Sequence, residues 1–206
     1  NAQNSVTEAI FTARANELRR EVVRKYTELA TVPADDHQYA ARLRELEAIG
    51  YPKSVRQLPR EAVEAFSVVG CPLRYAPARA GERVLDIGVG PGLDAVLASS
   101  AVGDSGNVVG LDMNPAMLER CHRLLRRLGC RNVALVQADG ELLAFPDASF
   151  DLIVSNGVCN LSPRKDLLFS EMARVLRGGG RLALADVILE VDLDDATRND
   201  PSAWSS

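Results

Sequence analysis

The four cysteines of this 206-residue chain, Cys71, Cys121, Cys130 and Cys159, contain no Cys-x-x-Cys pair and no zinc-ligand spacing. That excludes the sequence signatures of a dithiol redox centre and of a structural zinc site, and leaves reduced, buried thiols as the expectation for each. A Gly-x-Ser-x-Gly elbow is also missing, and with it the usual signature of a serine hydrolase. No apolar run approaches the roughly 18 to 20 residues needed to cross a bilayer, and the first residues lack a basic-then-apolar leader pattern. Positive charge is not in excess: 24 Lys and Arg stand against 28 Asp and Glu, for a net charge of −4. Such a balance gives no general attraction to nucleic acid or to an anionic membrane, and with neither a span nor a leader pattern a cytoplasmic chain is expected.

What is present is ordinary for a globular protein, with 47% hydrophobic and 25% charged residues, and the length suits one domain with an appendage. The informative stretch is Val84-Leu85-Asp86-Ile87-Gly88-Val89-Gly90-Pro91-Gly92. A β-favouring apolar run ends there in a glycine-rich turn, and Leu93 to Ala98 continue at helical density. Glycines at a strand-to-helix crossing let the chain turn tightly and let a ligand approach the backbone, while the free N–H groups of the helix favour an anionic group. By itself such a loop is also compatible with a plain connection.

Two downstream acids sharpen the pattern. Asn107 to Asp112 reads as a second strand ending in a carboxylate about twenty residues after the glycines, the separation at which an acid reaches a ribose diol. Asn132 to Gln137 reads as a third, closed by Ala138-Asp139-Gly140-Glu141. The loop lacks the Gly-x-Gly-x-x-Gly of a dinucleotide site, so a nucleoside with a charged tail fits better. Strands over 83–87, 107–111, 132–137, 151–155 and 181–187 alternate with helices over 92–101, 114–128 and 164–176, and a loop with a short helix precedes the fourth strand. This predicts an α/β, Rossmann-like, doubly wound and mostly parallel sheet with its ligand at the carboxyl ends of the strands.

Asp86-Ile-Gly-Val-Gly-Pro-Gly92, Asp112, Asp139 and Arg174-Val-Leu-Arg-Gly-Gly-Gly-Arg181 together resemble the successive motifs of class I S-adenosylmethionine-dependent methyltransferases over residues 80–190. Within that superfamily, Gly110 to Leu118 and Val154 to Pro163 are most similar to arsenite methyltransferases. The resemblance implies S-adenosylmethionine as cofactor and S-adenosylhomocysteine as product. It implies roles as well: Gly88, Gly90 and Gly92 against the methionine end, Asp86 toward its ammonium, and Asp112 on the ribose. Met113 would lie on the adenine, Asp139 with Gly140 and Glu141 at its exocyclic amine, and Asn156 beside the methionine end. For the acceptor it implies As(III) held by thiolates, with Cys71 and Cys159 as the candidate catalytic ligands; Cys71 lacks the family's following Gly-Asn, and Gly157 stands where the family commonly has its cysteine. A C-terminal cysteine of the family has no counterpart here.

Residues 1–79 form a predicted helical cap. Ser5-Val-Thr-Glu8 resembles a capping box, an amphipathic helix runs to about Ala30, and a second follows from Asp36 to Ile49, stopped at Gly50. Such a cap either packs on the core or walls the pocket as a lid, with Tyr26 the residue to watch. Residues 191–206 are a polar extension with no strand pair, so the superfamily's last strands are expected to be missing: either the chain is truncated or partly ordered there, or a dimer or partner chain covers the fifth-strand edge. Two alternatives to arsenic methylation stay open: methyl transfer to oxygen, nitrogen or carbon of an organic metabolite, and a non-catalytic cofactor-binding subunit.

Overall fold

The computed structural model describes residues 2–31, 36–64, 69–190, 192 and 200. A five-stranded, wholly parallel sheet has the order β3-β2-β1-β4-β5, built from β1 (Arg83–Ile87), β2 (Asn107–Asp112), β3 (Val133–Gln137), β4 (Phe150–Asn156) and β5 (Leu176–Ala185). The central strands β1 and β4 are buried almost end to end, as expected of strands covered on both faces, and they carry Asp86 and Asp151 inside with their apolar neighbours. Helices α5 (Leu93–Val102) and α6 (Pro115–Leu128) cover the face that carries Val84, Val108, Leu152 and Val154. On the other face α7 (Lys165–Val175) covers Leu85, Ile87 and Ile153. Neighbouring residues of one strand thus serve opposite layers, as the period of two dictates.

The strand order reverses between β1 and β4, and there the loops after the two strands diverge and open a crevice. Asn114 caps α6 by accepting from the Ala116 N–H at 2.9 Å, Pro115 follows at the first helical position, and Gly129 ends the helix in the left-handed region (φ 70°). The local chemistry and the observed bounds therefore agree.

The expected core elements recur with ends shifted by one or two residues, and three differences have physical causes. Residues 138–149 form turns rather than a short helix: Asp139 accepts from the Glu141 N–H at 2.9 Å, an Asx turn that competes with helix formation. β5 starts at Leu176 instead of 181, because the residues after α7 pair at once with Phe150. Gly178 to Gly180 then lie within an irregularity of that strand, where the register moves from Phe150↔Leu176 to Leu152↔Arg181. The first helix, α1 (Ala2–Thr31), begins three residues before Ser5, so the capping-box residues fall inside it.

The cap comprises α1, α2 (Asp36–Ala48), a 3-10 turn at Lys53–Gln57, α3 (Arg60–Glu64) and α4 (Pro72–Tyr75). Leu46, Tyr51, Val55, Val63 and Cys71 form its own apolar cluster against Leu93 of α5. α1 lies beside α6, held where the Asn114 side chain donates to Val23 O (3.0 Å) and Arg120 donates to Ala30 O (2.8 Å). β5 is an edge strand: Ala183 is buried, while Leu182 and Leu184 are exposed on its other face. The stretch 193–199 and residues 201–206 lie outside the described residues, and with them most of the expected polar extension.

Candidate methyl-donor site

The ends of β1, β2, β3 and β4 converge on one cavity of about 250 Å³. Its floor includes Gly88 and Gly90 after β1, Asp112 and Met113 after β2, Asp139 to Glu141 after β3, and Asn156 after β4. Of the residues expected to hold the cofactor, those eight line this one space, and Asp86 and Gly92 do not. The wall over the cavity comes from α1, through Arg19, Val22, Lys25, Tyr26 and Leu29.

The β1 loop is fixed by hydrogen bonds that leave its inner surface bare. The Gly88 and Val89 N–H groups donate to Leu111 O (2.7 and 2.9 Å), and the Gly90 N–H donates to Asp112 Oδ2 (2.9 Å). Gly88 has φ 74°, and a Cβ there would stand 2.1 Å from Val158 Cγ2. Only glycine fits both the angle and the close approach. Gly92 has a different task, since a Cβ on it would stand 2.6 Å from Cys121 Sγ; it lets α5 and α6 pack closely.

Asp112 bridges two elements, accepting from Gly90 through one oxygen and from the Asn114 N–H at 2.9 Å through the other. Each oxygen keeps a second lone pair for a ligand hydroxyl. Burial pushes its carboxyl upward, opposed by these N–H bonds. Asp139 pairs with Arg19 (Nε to Oδ2, 2.8 Å). Glu141, also paired with Arg19, accepts from the Ser162 hydroxyl at 2.6 Å and the Arg164 N–H at 3.0 Å.

Behind the loop lies an acidic pair. Asp86 is 2% exposed, and its Oδ2 has no hydrogen-bond partner among the described residues. Burial raises its carboxyl well above the usual range, and the neighbouring Asp94 and Asp112 raise it further. Asp94 is pushed up to about 6 by burial, against the hydrogen bonds from Asn156 and Tyr51. A buried, unpaired acceptor is costly unless a donor arrives. Asp86 Oδ2 and the equally unpartnered Asn156 Oδ1 are such acceptors, and an α-ammonium group supplies the missing donors. These orphaned atoms and the bare cradle at Gly88 fit the cofactor that the motifs imply.

The sulfurs are disposed differently. Cys71 is buried in the cap cluster with Tyr51 and Leu93, and Cys159 is buried on the α7 side with Ile87 and Leu168. Neither lines the cavity, although Val69 and Val158 beside them do. Burial raises the Cys71 thiol, and burial followed by Asp186 takes Cys159 up to about 11. Cys121, within the main core, is pushed up to about 12 by burial. All three therefore hold their protons at neutral pH. The segments carrying Cys71 and Cys159 nonetheless meet: the Asn156 amide donates to Gly70 O at 2.8 Å, and Val69 lies against Gly157.

Four residues at or near the site escaped the sequence reading: Arg19, Tyr51, Asp94 and Asp186. Asp94 carried a signal, a lone charge among the apolar residues Leu93, Ala95 and Val96. Arg19 and Tyr51 carried none, because the acidic partners that bring them to the site are 43 residues or more away. Asp186 Oδ2 accepts from the Cys159 N–H (2.6 Å) and Asn160 N–H (3.2 Å), a link made only by the neighbouring ends of β4 and β5.

A parallel sheet of this order, with a glycine cradle and carboxylates at successive strand ends, defines a nucleoside-binding α/β domain of the methyltransferase type. The methyltransferase domain family matches residues 78–206, and the chain belongs to it. It is 36% identical over 137 residues to an arsenite methyltransferase of Halobacterium salinarum, covering 66% of this chain and 35% of that protein. Over 110 residues it is 46% identical to the ubiquinone/menaquinone biosynthesis C-methyltransferase UbiE of Azotobacter vinelandii, covering 52% of this chain and 43% of that protein. Among solved structures it is similar to CrArsM, an arsenic(III) S-adenosylmethionine methyltransferase of Chlamydomonas reinhardtii, with a TM-score of 0.60 and 35% identity over 82% of this chain and 55% of that one. The chain thus spans between about a third and just over half of the length of these relatives. Among the described residues, no helix is long and apolar enough to cross a membrane, and no group of three or more His, Cys, Asp or Glu could hold a metal ion.

Proposed function

We propose that this chain is an S-adenosylmethionine-dependent methyltransferase acting on a small acceptor, with As(III) as a thiolate complex the first candidate. The observation that carries methyl transfer is the convergence of four strand ends on one cavity holding the Gly88 cradle and unpaired buried acceptors. Bound S-adenosylmethionine supplies a methyl group already activated by its sulfonium charge. The protein's work is then to hold the donor, align the acceptor and exclude water. Asp112 receives the ribose hydroxyls, Asp139 with Gly140 and Glu141 the adenine edge, and Met113 packs beside the ring. Asp86 and Asn156 take the amino-acid end, and α1 closes the space from above.

Arsenic as acceptor rests on the similarity to arsenite methyltransferases and on the adjoining Cys71 and Cys159 segments. Trivalent arsenic is soft and prefers thiolates, so both thiols would lose their protons and turn toward a common point when it binds. An organic acceptor is the second reading. It is favoured by the placement of both thiols outside the cavity wall and by the similarity to a C-methyltransferase.

Formation of S-adenosylhomocysteine from arsenite and a small thiol decides between them, with wild type compared against Cys71→Ser and Cys159→Ser. The arsenic reading expects turnover in the wild type and at least a tenfold loss in each variant. Arsenite-dependent turnover that survives both substitutions overturns the thiolate site. No turnover with arsenite, together with retained S-adenosylhomocysteine binding, moves the assignment to an organic acceptor.

A further inference from the structure

Behind the cavity wall, three side chains from distant parts of the chain close a polar node. Tyr51, 4% exposed, donates its hydroxyl to Asp94 Oδ1 at 2.8 Å. The Asn156 amide nitrogen lies 3.1 Å from Asp94 Oδ2, 3.0 Å from the Tyr51 oxygen and 2.8 Å from Gly70 O. A carboxylate and a carbonyl can only accept, so the amide has one admissible orientation; turned over, its oxygen would face both. With the nitrogen committed to this node, Asn156 Oδ1 is left buried and without a partner among the described residues, on a residue that lines the cavity.

We infer that Tyr51 and Asp94 are positioning residues of the methyl-donor site: they lock the Asn156 amide so that its oxygen, with the unpaired oxygen of Asp86, receives the ammonium of an amino-acid tail. The inference rests on the methyl-donor reading of the cavity and adds two residues to it. The chemistry selects the ligand group. An orphaned amide oxygen and an orphaned Asp86 oxygen, with the Asp94 carboxyl hydrogen-bonded to the same amide, favour a cationic donor over a phosphate or carboxylate. The node also joins the cap to the core, because Tyr51 follows α2 whereas Asp94 and Asn156 belong to α5 and β4. Docking of the cap segment is therefore part of building the amino-acid end of the site, which the glycine loop and Asp86 do not complete alone.

The test crosses two ligands with the protein variants. Calorimetry on the full chain measures S-adenosylhomocysteine and its analogue lacking only the α-amino group, against wild type, Tyr51→Phe and Asp94→Asn. Tyr51→Phe keeps the ring in its apolar cluster and removes one hydroxyl; Asp94→Asn keeps the volume and takes an acceptor from the node. In the wild type, loss of the amine should weaken binding by about tenfold or more, and in each variant that penalty should fall to about twofold. A merely structural role would weaken both ligands alike and leave the ratio unchanged, which would overturn the inference. Should Tyr51→Phe fail to fold, as judged by thermal melting, Asp94→Asn carries the same comparison. A wild type that binds neither ligand would sink the methyl-donor site itself, whereas binding of both with an unchanged ratio sinks only the positioning role.

Discussion

The α/β core and the helical cap are held together by different physics, and the cavity lies where they meet. The core is a continuous parallel ladder between two apolar layers, with β1 and β4 almost wholly buried. Against it, α1 buries a narrow apolar stripe of Ala15, Leu18 and Val22 and is fastened at the cavity by polar ties: Arg19 to Asp139 and Glu141, Asn114 to Val23 and Thr27, and Arg120 to Ala30. Apolar burial is spread over many simultaneous contacts, while a polar tie is local and is lost with one partner. The floor of the site should therefore stay intact under changes that loosen its roof.

The strongest way to break that contrast is Gly88→Val in the floor. A side chain at φ 74° aimed at Val158 should abolish measurable S-adenosylhomocysteine binding and cost several kcal/mol, checked by calorimetry and urea unfolding. Retained binding would show that the cradle is not where the ligand lies.

A pH series probes the acidic pair behind the floor. Asp86 and Asp94 have folded-state pKa values raised above those of the unfolded chain, Asp94 to about 6. Their contribution to stability is thus fully present below about pH 4 and is lost as pH rises, through about 6 for Asp94, with Asp86 shifted in the same direction. For Asp94 the loss is on the order of 2–3 kcal/mol. Because an ammonium ligand offsets this loss, the rise in melting temperature caused by S-adenosylhomocysteine should grow between pH 5 and 7.5. A shift independent of pH would show that the pair does not face the ligand's amine.

Arg19→Ala acts on the roof. It should loosen the docking of α1 by about 1–2 kcal/mol, since the guanidinium is partly exposed and Glu141 retains its bonds from Ser162 and Arg164. Hydrogen exchange is expected to accelerate in residues 12–30 and to stay unchanged in β1 and β4; equal acceleration in both would erase the contrast. Glu119→Ala serves as the control, because its pair with Arg123 is exposed on both sides. Its effect on the melting curve should not exceed about 0.5 kcal/mol.

The core elements and the floor of the site were legible along the chain because each is written in contiguous residues. Apolar runs bounded by turn residues marked the strands, and the motif residues at their ends were brought together by the parallel topology itself. The roof was legible only as an amphipathic helix followed by a second helix, with Tyr26 singled out but its place left open; it lines the cavity. Gly92 and the start of β5 were misjudged because close helix packing and a strand irregularity depend on partners that local pattern does not reveal.

By itself, then, the order of residues determined the parallel sheet, the position of the glycine cradle and the acids that ring the cavity, since hydrophobic periodicity and turn chemistry act over a few neighbouring positions. The tertiary structure alone decided that Arg19 would meet Asp139, that Tyr51 would lock Asn156 through Asp94, and that the Cys71 and Cys159 thiols would be buried in separate apolar clusters. Those contacts join residues tens of positions apart, and they are selected by the burial of charge and volume in the folded interior.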